Sequence, residues 1–447
     1  MAILETFRHS LKGIAYKLGR ESILFQSILK DLNASQWYSQ PVLETLKTKR
    51  LKTLVRYAET HIPYYRELFR ELGLTADSIR STDDLKRMPL MTKKDVLEKG
   101  ASLLTQGARK FFLSKASTSG TTGAPLELYR DWYSVNFEHA TIYRHWGQAG
   151  YRFGDPFVTL RGNTLKSATR GKPVYWAFNR VHREMIMSSF HMSKRTLPHY
   201  LDQLISYKPA YIYCYPQSLL TLLRFAAHAG ADLKRVGLKG VFTSSEMVTP
   251  DLRRMVDEQL GAKIFDYYNT AERVLPIASC EYGTYHVQEE YGVLELMPVD
   301  PEKNQYEIIG TGLVNKAMPL FRYRTRDIVE LYPEDYACPC GRSFRCVKAI
   351  VGRPSECIIG GDGQEISGAG LTHIFYGVDA QVIESQIVQR QDGSVVVRIV
   401  PTYRYKEKNR IDLVDSFFNY TGIVPTIEVV SEIKRTAAGK FQFIIRE

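Results

Sequence analysis

Four short runs rich in β-branched and aromatic residues recur through the middle of this chain: Phe157-Val158-Thr159-Leu160, Ala210-Tyr211-Ile212-Tyr213-Cys214, Gly240-Val241-Phe242-Thr243 and Lys263-Ile264-Phe265-Asp266. Helical patterns separate the later ones. One runs from Ser218 to about His228, and another opens with Thr249 as N-cap and Pro250 as its first residue. Strands joined by single helices cross over right-handed and lie parallel in one sheet, so this alternation leaves few architectures open. Such sheets bind ligands beyond the carboxyl ends of their strands. Ser244-Ser245-Glu246 and Tyr267-Tyr268-Asn269-Thr270-Ala271-Glu272 follow the third and fourth runs. Both segments are therefore expected on one edge, in loops that converge on a common crevice.

The texture differs on either side of this region. From Pro41 to about Leu74 the pattern is helical, with Leu43, Leu46, Leu51, Leu54, Val55 and Ala58 recurring at threes and fours and Pro63 opening a second short helix. Beyond Arg353, Asp392-Gly393 marks a hairpin turn between alternating runs. A helix carrying Ile411, Leu413, Val414, Phe417 and Phe418 follows, then a strand from Thr426 to Val430. The fold class is accordingly α/β: a large N-terminal domain over residues 1–352, with mostly parallel sheets flanked by helices, and a small mobile α+β domain over 353–447. The hinge is expected near Val351 to Ser355.

Composition narrows the setting. A chain of 447 residues with 44% hydrophobic and 24% charged side chains is an ordinary globular protein. No apolar stretch approaches the roughly 20 residues that span a bilayer, and the start lacks the apolar core of a signal peptide, which points to the cytoplasm. The net charge of +12 suits an anionic substrate or a membrane surface, but the basic residues are scattered, unlike a nucleic-acid footprint. Between Phe7 and Phe25, Leu11, Ile14, Ala15 and Leu18 alternate with Arg8, Lys12, Lys17 and Arg20; this is an amphipathic helix, packed on the domain or lying on a membrane surface.

Two clusters carry chemistry. Ser117-Thr118-Ser119-Gly120-Thr121-Thr122-Gly123 combines hydroxyl donors with glycines that let backbone N–H groups face an anion, which makes it a candidate polyphosphate cradle. A solvated loop is the alternative, since no Walker A motif is completed. Cys280 and His286, with Cys338 and Cys340 of the Cys338-Pro339-Cys340-Gly341-Arg342 segment, are the parts of a tetrahedral Cys3His zinc site in two pieces, with Cys346 as a replacement ligand. Free thiols are the alternative, because the spacings are not those of a standard finger.

Taken in order, the hydroxyl-rich loop, Tyr268-Asn269-Thr270-Ala271-Glu272, Tyr323-Arg324-Thr325-Arg326-Asp327, Gly352-Arg353 and Arg435-Thr436-Ala437-Ala438-Gly439-Lys440 resemble the adenylate-forming superfamily. The chain looks like its phenylacetate-CoA ligase branch, and most like the capsule-biosynthesis proteins grouped there. The resemblance implies attack of a carboxylate on the α-phosphorus of ATP, giving acyl-AMP, followed by acyl transfer. It implies that residues 117–123 hold the β- and γ-phosphates, with Thr118 in a catalytic role, and that Glu272 ligates Mg2+. Asp327 then accepts from both ribose hydroxyls. Asp266 and the Ser244-Ser245-Glu246 backbone contact the adenine, Tyr267 stacks on it, and Tyr268, Asn269, Thr270 and Arg353 complete the nucleotide site. Lys440 bridges the acyl carboxylate and the α-phosphate.

Two departures stand out. Ala124 occupies a position where the family often has lysine, so that one phosphate-side charge is missing, with Arg130 and Lys115 as the candidates to substitute for it. The hinge reads Gly352-Arg353-Pro354-Ser355-Glu356 where the family usually has Gly-Arg-x-Asp-Asp. The expected activity is thus adenylation of a carboxylic acid with transfer to CoA. Transfer to an amine or hydroxyl of a surface-polysaccharide precursor and a nucleotide-binding scaffold without turnover are the alternatives. Tyr215, Pro216 and His191 are the expected acyl-pocket residues.

Overall fold

In the computed structural model three of the apolar runs lie side by side as the parallel strands Phe157–Arg161, Tyr211–Cys214 and Gly240–Ser244. The sheet extends through Glu184–Ser188, parallel to Phe157–Arg161, and ends in the antiparallel edge strand Trp176–Asn179. Lys263–Tyr268 lies beside Gly240–Ser244. The structure describes residues 2–20, 22–117, 126–163, 165, 175–353, 357–363, 365–367, 371–375, 378, 381–436 and 439–447.

The connecting helices follow their sequence signals. Pro250–Leu260 starts behind Thr249, whose hydroxyl accepts from the Leu252 N–H at 3.2 Å. Pro216–Ala229 begins on a proline and stops at Gly230 in the left-handed region. Leu219, Leu222, Leu223 and Ala226 of that helix pack with Val158, Leu160, Ile212 and Val241 of the sheet, and burial of each leucine, isoleucine or valine contributes about 1.5–3 kcal/mol.

The chain divides into two compact units. The first gathers Met1–Ala15, Ala149–Asp266 and Val351–Glu447; the second gathers Tyr16–Gln148 and Tyr267–Ile350. Residues 353–447 thus share a unit with the parallel sheet. They form a four-stranded sheet in the order Thr426–Val429, Val395–Pro401, Val382–Gln389, Ile444–Arg446, covered by the helix Glu407–Thr421 around Val397, Ile399, Leu413 and Phe417. The expected hairpin is present, with Ile387 opposite Val397. Ile383, Val400, Ile433 and Phe441 enter the core of the parallel sheet, and Glu384 accepts from Thr221 at 3.1 Å while pairing with Arg435.

The N-terminal pattern resolves into two helices, Ala2–Arg20 and Ile23–Ser35, instead of one continuous element. The first docks through small and polar groups: Thr6 and Ser10 accept from the Phe178 and Arg180 N–H groups, and His182 contacts the Gly13 carbonyl. Phe7, Leu11 and Ile14 remain exposed. Among the described residues no helix is long and apolar enough to cross a membrane.

In the second unit the helices Gln40–His61, Pro63–Glu71 and Trp132–Gln148 accompany an antiparallel ladder of Gly292–Asp300, Gln305–Gly312 and Tyr323–Glu330. Leu51, Leu54, Val55 and Ala58 point into one core with Ile308, Phe321 and Val329, as their spacing requires.

Candidate active site

In the first unit the candidate residues gather at the carboxyl end of the parallel strands. Ser244 closes its strand and Ser245 follows with φ +73°, an uncommon conformation for a serine that turns the chain sharply there. Asp266 is buried and accepts from the Thr243 hydroxyl at 2.6 Å. Lys440 arrives from the far end of the sequence and its Nζ donates to the Ser245 carbonyl at 3.4 Å.

The loop that carries Lys440 is held by backbone geometry. Gly439 donates to the Thr436 carbonyl, Thr436 donates to the Lys440 carbonyl, and the Lys440 N–H donates to the Thr436 hydroxyl. Gly439 has φ +73°, and a Cβ there would lie 2.5 Å from the Gly162 Cα, so both the turn and the close backbone approach demand glycine. Ser189 donates to the Gly439 carbonyl at 2.8 Å. Ala437 and Ala438 lie outside the described residues.

The Glu246 carboxylate accepts from the Phe441 N–H at 3.0 Å, next to Lys440, and from the Gln217 N–H at 3.0 Å at the start of the Pro216–Ala229 helix. An acid at a helix N-terminus is well placed against its dipole. Burial pushes this carboxyl above the ordinary range, against the pull of the two N–H donors, Lys440 and Arg435. The Glu246 side chain is therefore a clasp between two backbone segments. Arg353 is exposed, and Pro354, Ser355 and Glu356 lie outside the described residues.

In the second unit two tyrosines bolt two of the motifs together. The Tyr268 hydroxyl donates to Asp327 Oδ2 and the Tyr323 hydroxyl donates to Glu272 Oε1, both at 2.7 Å. Each motif thus supplies one phenol and receives one. Arg326, at φ +62°, lies in a segment of irregular register in its strand, and Asp327 follows it. Arg324 is paired with Glu307 at 2.7 Å. Asn269 donates to both oxygens of Glu138 at 3.1 and 3.0 Å, and its own Oδ1 accepts from the Thr270 N–H. Tyr267 is buried and its hydroxyl donates to Glu138 at 3.4 Å.

The hydroxyl-rich loop opens at the end of the strand Ser114–Ser117 and closes before Glu127–Arg130, its antiparallel partner. Thr118, Ser119, Gly120, Thr121, Thr122, Gly123 and Ala124 lie outside the described residues. Of the two cations considered for the missing lysine, Lys115 is paired with Glu127 at 2.5 Å. Arg130 donates to the Ala271 carbonyl, beside Glu272, and burial reinforced by Arg273 lowers its pKa to about 10.

The cysteine cluster assembles in the second unit. One ligand atom from each of Cys280, His286, Cys338 and Cys340 lies within 4.8 Å of the others, and all four residues are buried. Cys280 Sγ is 3.6 Å from Cys338 Sγ, and Cys340 Sγ is 3.3 Å from His286 Nε2. These are the edges of a tetrahedron built on metal–ligand bonds of about 2.0–2.3 Å. The ring's other nitrogen faces the Phe344 carbonyl at 3.4 Å, leaving Nε2 as the free lone pair. Tyr282 N–H donates to Cys280 Sγ at 3.4 Å. Burial lowers the His286 pKa to about 4, so the imidazole is neutral, as a ligand must be.

Sequence reasoning missed Glu138, which no motif announces, and Arg161, a charged residue at the carboxyl end of an apolar strand run. The arginine's position was the available signal. Tyr215, expected in the acyl pocket, lies with its ring 4.4 Å from the Arg161 guanidinium.

Residues 358–447 match the family model described as the CapK C-terminal domain. Over 403 residues the chain is 23% identical to Protein CapK of Staphylococcus aureus, covering 90% of this chain and 88% of that protein. It is 28% identical over 374 residues to phenylacetate-coenzyme A ligase of Thermus thermophilus, covering 80% and 82% respectively. Its fold matches that of 2-hydroxyisobutyryl-CoA ligase in the postadenylation state, with a TM-score of 0.72 at 18% identity over 92% of this chain and 91% of that one. Ordered motifs, fold and relatives coincide: the chain is similar to CapK and to the phenylacetate-coenzyme A ligases, its residues 358–447 match the CapK C-terminal domain, and it has the fold of 2-hydroxyisobutyryl-CoA ligase.

Proposed function

We propose that the protein is an ATP-dependent acid ligase that joins a carboxylic acid to AMP and passes the acyl group to a thiol, CoA being the first choice. The observation that carries this reading is Lys440 Nζ at the Ser245 carbonyl, 195 residues away in sequence. A cation held on a glycine-shaped loop at the carboxyl end of a parallel sheet is what phosphoryl chemistry between two anions requires. Asp327, fixed by Tyr268, offers two oxygens to a ribose. Glu272, fixed by Tyr323, suits a hard cation such as Mg2+, which would screen the phosphates when bound. The nucleotide roles of Ser117, Thr118 and their neighbours, of Ser244, Asp266, Tyr267 and Arg353, are part of the same proposal, as is rotation of residues 353–447 between the two steps.

Acid-dependent exchange of labelled pyrophosphate into ATP tests the first step. Its absence across a broad panel of carboxylic acids would leave a nucleotide-binding scaffold. Formation of a CoA thioester with the acid so found tests the second. The match of residues 358–447 to the CapK C-terminal domain and the altered hinge favour a second acceptor, an amine or hydroxyl on a surface-polysaccharide precursor, and a failed thioester assay with intact exchange selects it.

The Cys280, His286, Cys338 and Cys340 cluster completes the proposal as a structural zinc site. Four buried ligands leave no open position, so the metal would staple the Ile277–Ser279 and Tyr285–Val287 hairpin to the 338–346 loop without entering the reaction. Metal analysis of purified protein should return close to one equivalent of zinc.

A further inference from the structure

Arg161 closes the strand Phe157–Arg161 of the parallel sheet, and its guanidinium lies against the rings of Tyr213 and Tyr215, 4.4 Å from each centroid. Nη1 donates to the Ser244 hydroxyl at 2.6 Å and Nη2 to the Ser245 hydroxyl at 3.1 Å. Ser245 is also the residue whose carbonyl accepts from Lys440. The arginine and the candidate catalytic lysine thus meet on one serine. Among the described residues no carboxylate lies within ion-pair distance of Arg161.

A guanidinium laid against two aromatic rings has given up part of its hydration, and holding a half-buried charge without a counter-charge has a cost. Cation–π contacts and two neutral hydroxyls offset part of that cost. Together with a side-chain hydrogen bond to Tyr215 they also fix the plane of the fork, whose five N–H bonds outnumber these three acceptors and can serve a planar or tetrahedral oxyanion. Lysine at this position would offer a point charge with no stacking and no fork.

Resting on the adenylation reading, we propose that Arg161 is a ligand-binding residue that receives an oxyanion next to Lys440. That oxyanion is a phosphate oxygen of the nucleotide or an acidic group of the carboxylic acid. If the nucleotide supplies it, Arg161 helps to hold the α-phosphate for attack. If the acid supplies it, Arg161 sets specificity, and acids bearing a second acidic group are preferred.

The test compares wild type with Arg161→Gln and Arg161→Lys, using MgATP calorimetry and pyrophosphate exchange with matched mono- and dicarboxylic acids. Loss of one charge-assisted contact should weaken one ligand by roughly tenfold or more. Weaker MgATP binding in the glutamine variant identifies the phosphate. Unchanged MgATP binding with a raised KM confined to dicarboxylic acids identifies the acid. Arg161→Lys should recover part of the loss, and millimolar guanidinium should partly rescue Arg161→Gln, a response that a purely structural arginine would not give. A folded glutamine variant with both affinities unchanged overturns the proposal. Should neither variant fold, a crystal structure of the wild type with MgATP and the acid decides it, since no ligand oxygen within hydrogen-bond distance of the guanidinium would also overturn it. Wild type that neither binds MgATP nor exchanges pyrophosphate would sink the adenylation reading itself, an outcome separate from these.

Discussion

Lys440 is the residue on which the proposed chemistry turns. Its aliphatic stem crosses to the Ser245 carbonyl from a loop held by hydrogen bonds of Thr436, Gly439 and Ser189 and by the Glu246 clasp on Phe441. Lys440→Ala removes the charge without touching that scaffold, and should slow acid-dependent pyrophosphate exchange by at least about 100-fold while MgATP affinity, read by calorimetry, holds. Gly439→Ala tests the scaffold instead. An added Cβ meets Gly162 and Phe190 and must push the loop outward, so exchange should fall by roughly tenfold or more although the lysine is present. In the other unit Asp327→Asn keeps its size and loses its charge. It should raise the KM for ATP by about tenfold, since hydrogen bonds from ribose to a charged acceptor are replaced by neutral ones; an unchanged KM would remove Asp327 from the nucleotide site.

At the scale of elements, the cysteine cluster brings Cys338 and Cys340 onto the Ile277–Ser279 and Tyr285–Val287 hairpin, through His286 and the adjoining Cys280. Cys338→Ser should abolish stoichiometric zinc and lower the thermal midpoint by several degrees, since a closed metal site contributes folding free energy outright. A variant that keeps one equivalent of metal with unchanged stability would count against the cluster. The helix Trp132–Gln148 carries a pH signature as well. Burial pushes the His145 pKa down to about 4, and its ring faces the Ser279 carbonyl at 2.9 Å. With the folded value below the ordinary one near 6.5, the unfolded chain binds the extra proton. Stability is therefore full above about pH 6.5 and lost as pH falls towards 4, by up to about 3 kcal/mol for this one group. Urea midpoints measured across that window should fall with acidity, and His145→Gln should flatten the slope.

Over the whole molecule, the elements and motifs were legible in the sequence because they are set by local rules. Alternating β-branched runs, a Thr249-Pro250 helix start and an Asp392-Gly393 turn are decided within a few residues, and the structure reproduces each. The order of the motifs was enough to indicate the likeness to CapK and the phenylacetate-coenzyme A ligases. The N-terminal helix was harder, because periodicity reports an apolar face without saying which face packs, and here Thr6, Ser10 and Gly13 are the ones that dock. Which hydroxyl holds which carboxylate could not be read at all. Tyr323 reaches Glu272 and Tyr268 reaches Asp327 across more than fifty residues, and Glu138 meets Asn269 from a helix that carries no motif. The sequence by itself determined the parallel αβ alternation and the inventory of reactive groups, since both depend on neighbours along the chain. Only the tertiary structure decided that Lys440 shares Ser245 with Arg161 and that four scattered ligands close on one point, because long-range pairing depends on how strands and loops are brought together, and no local spacing encodes it.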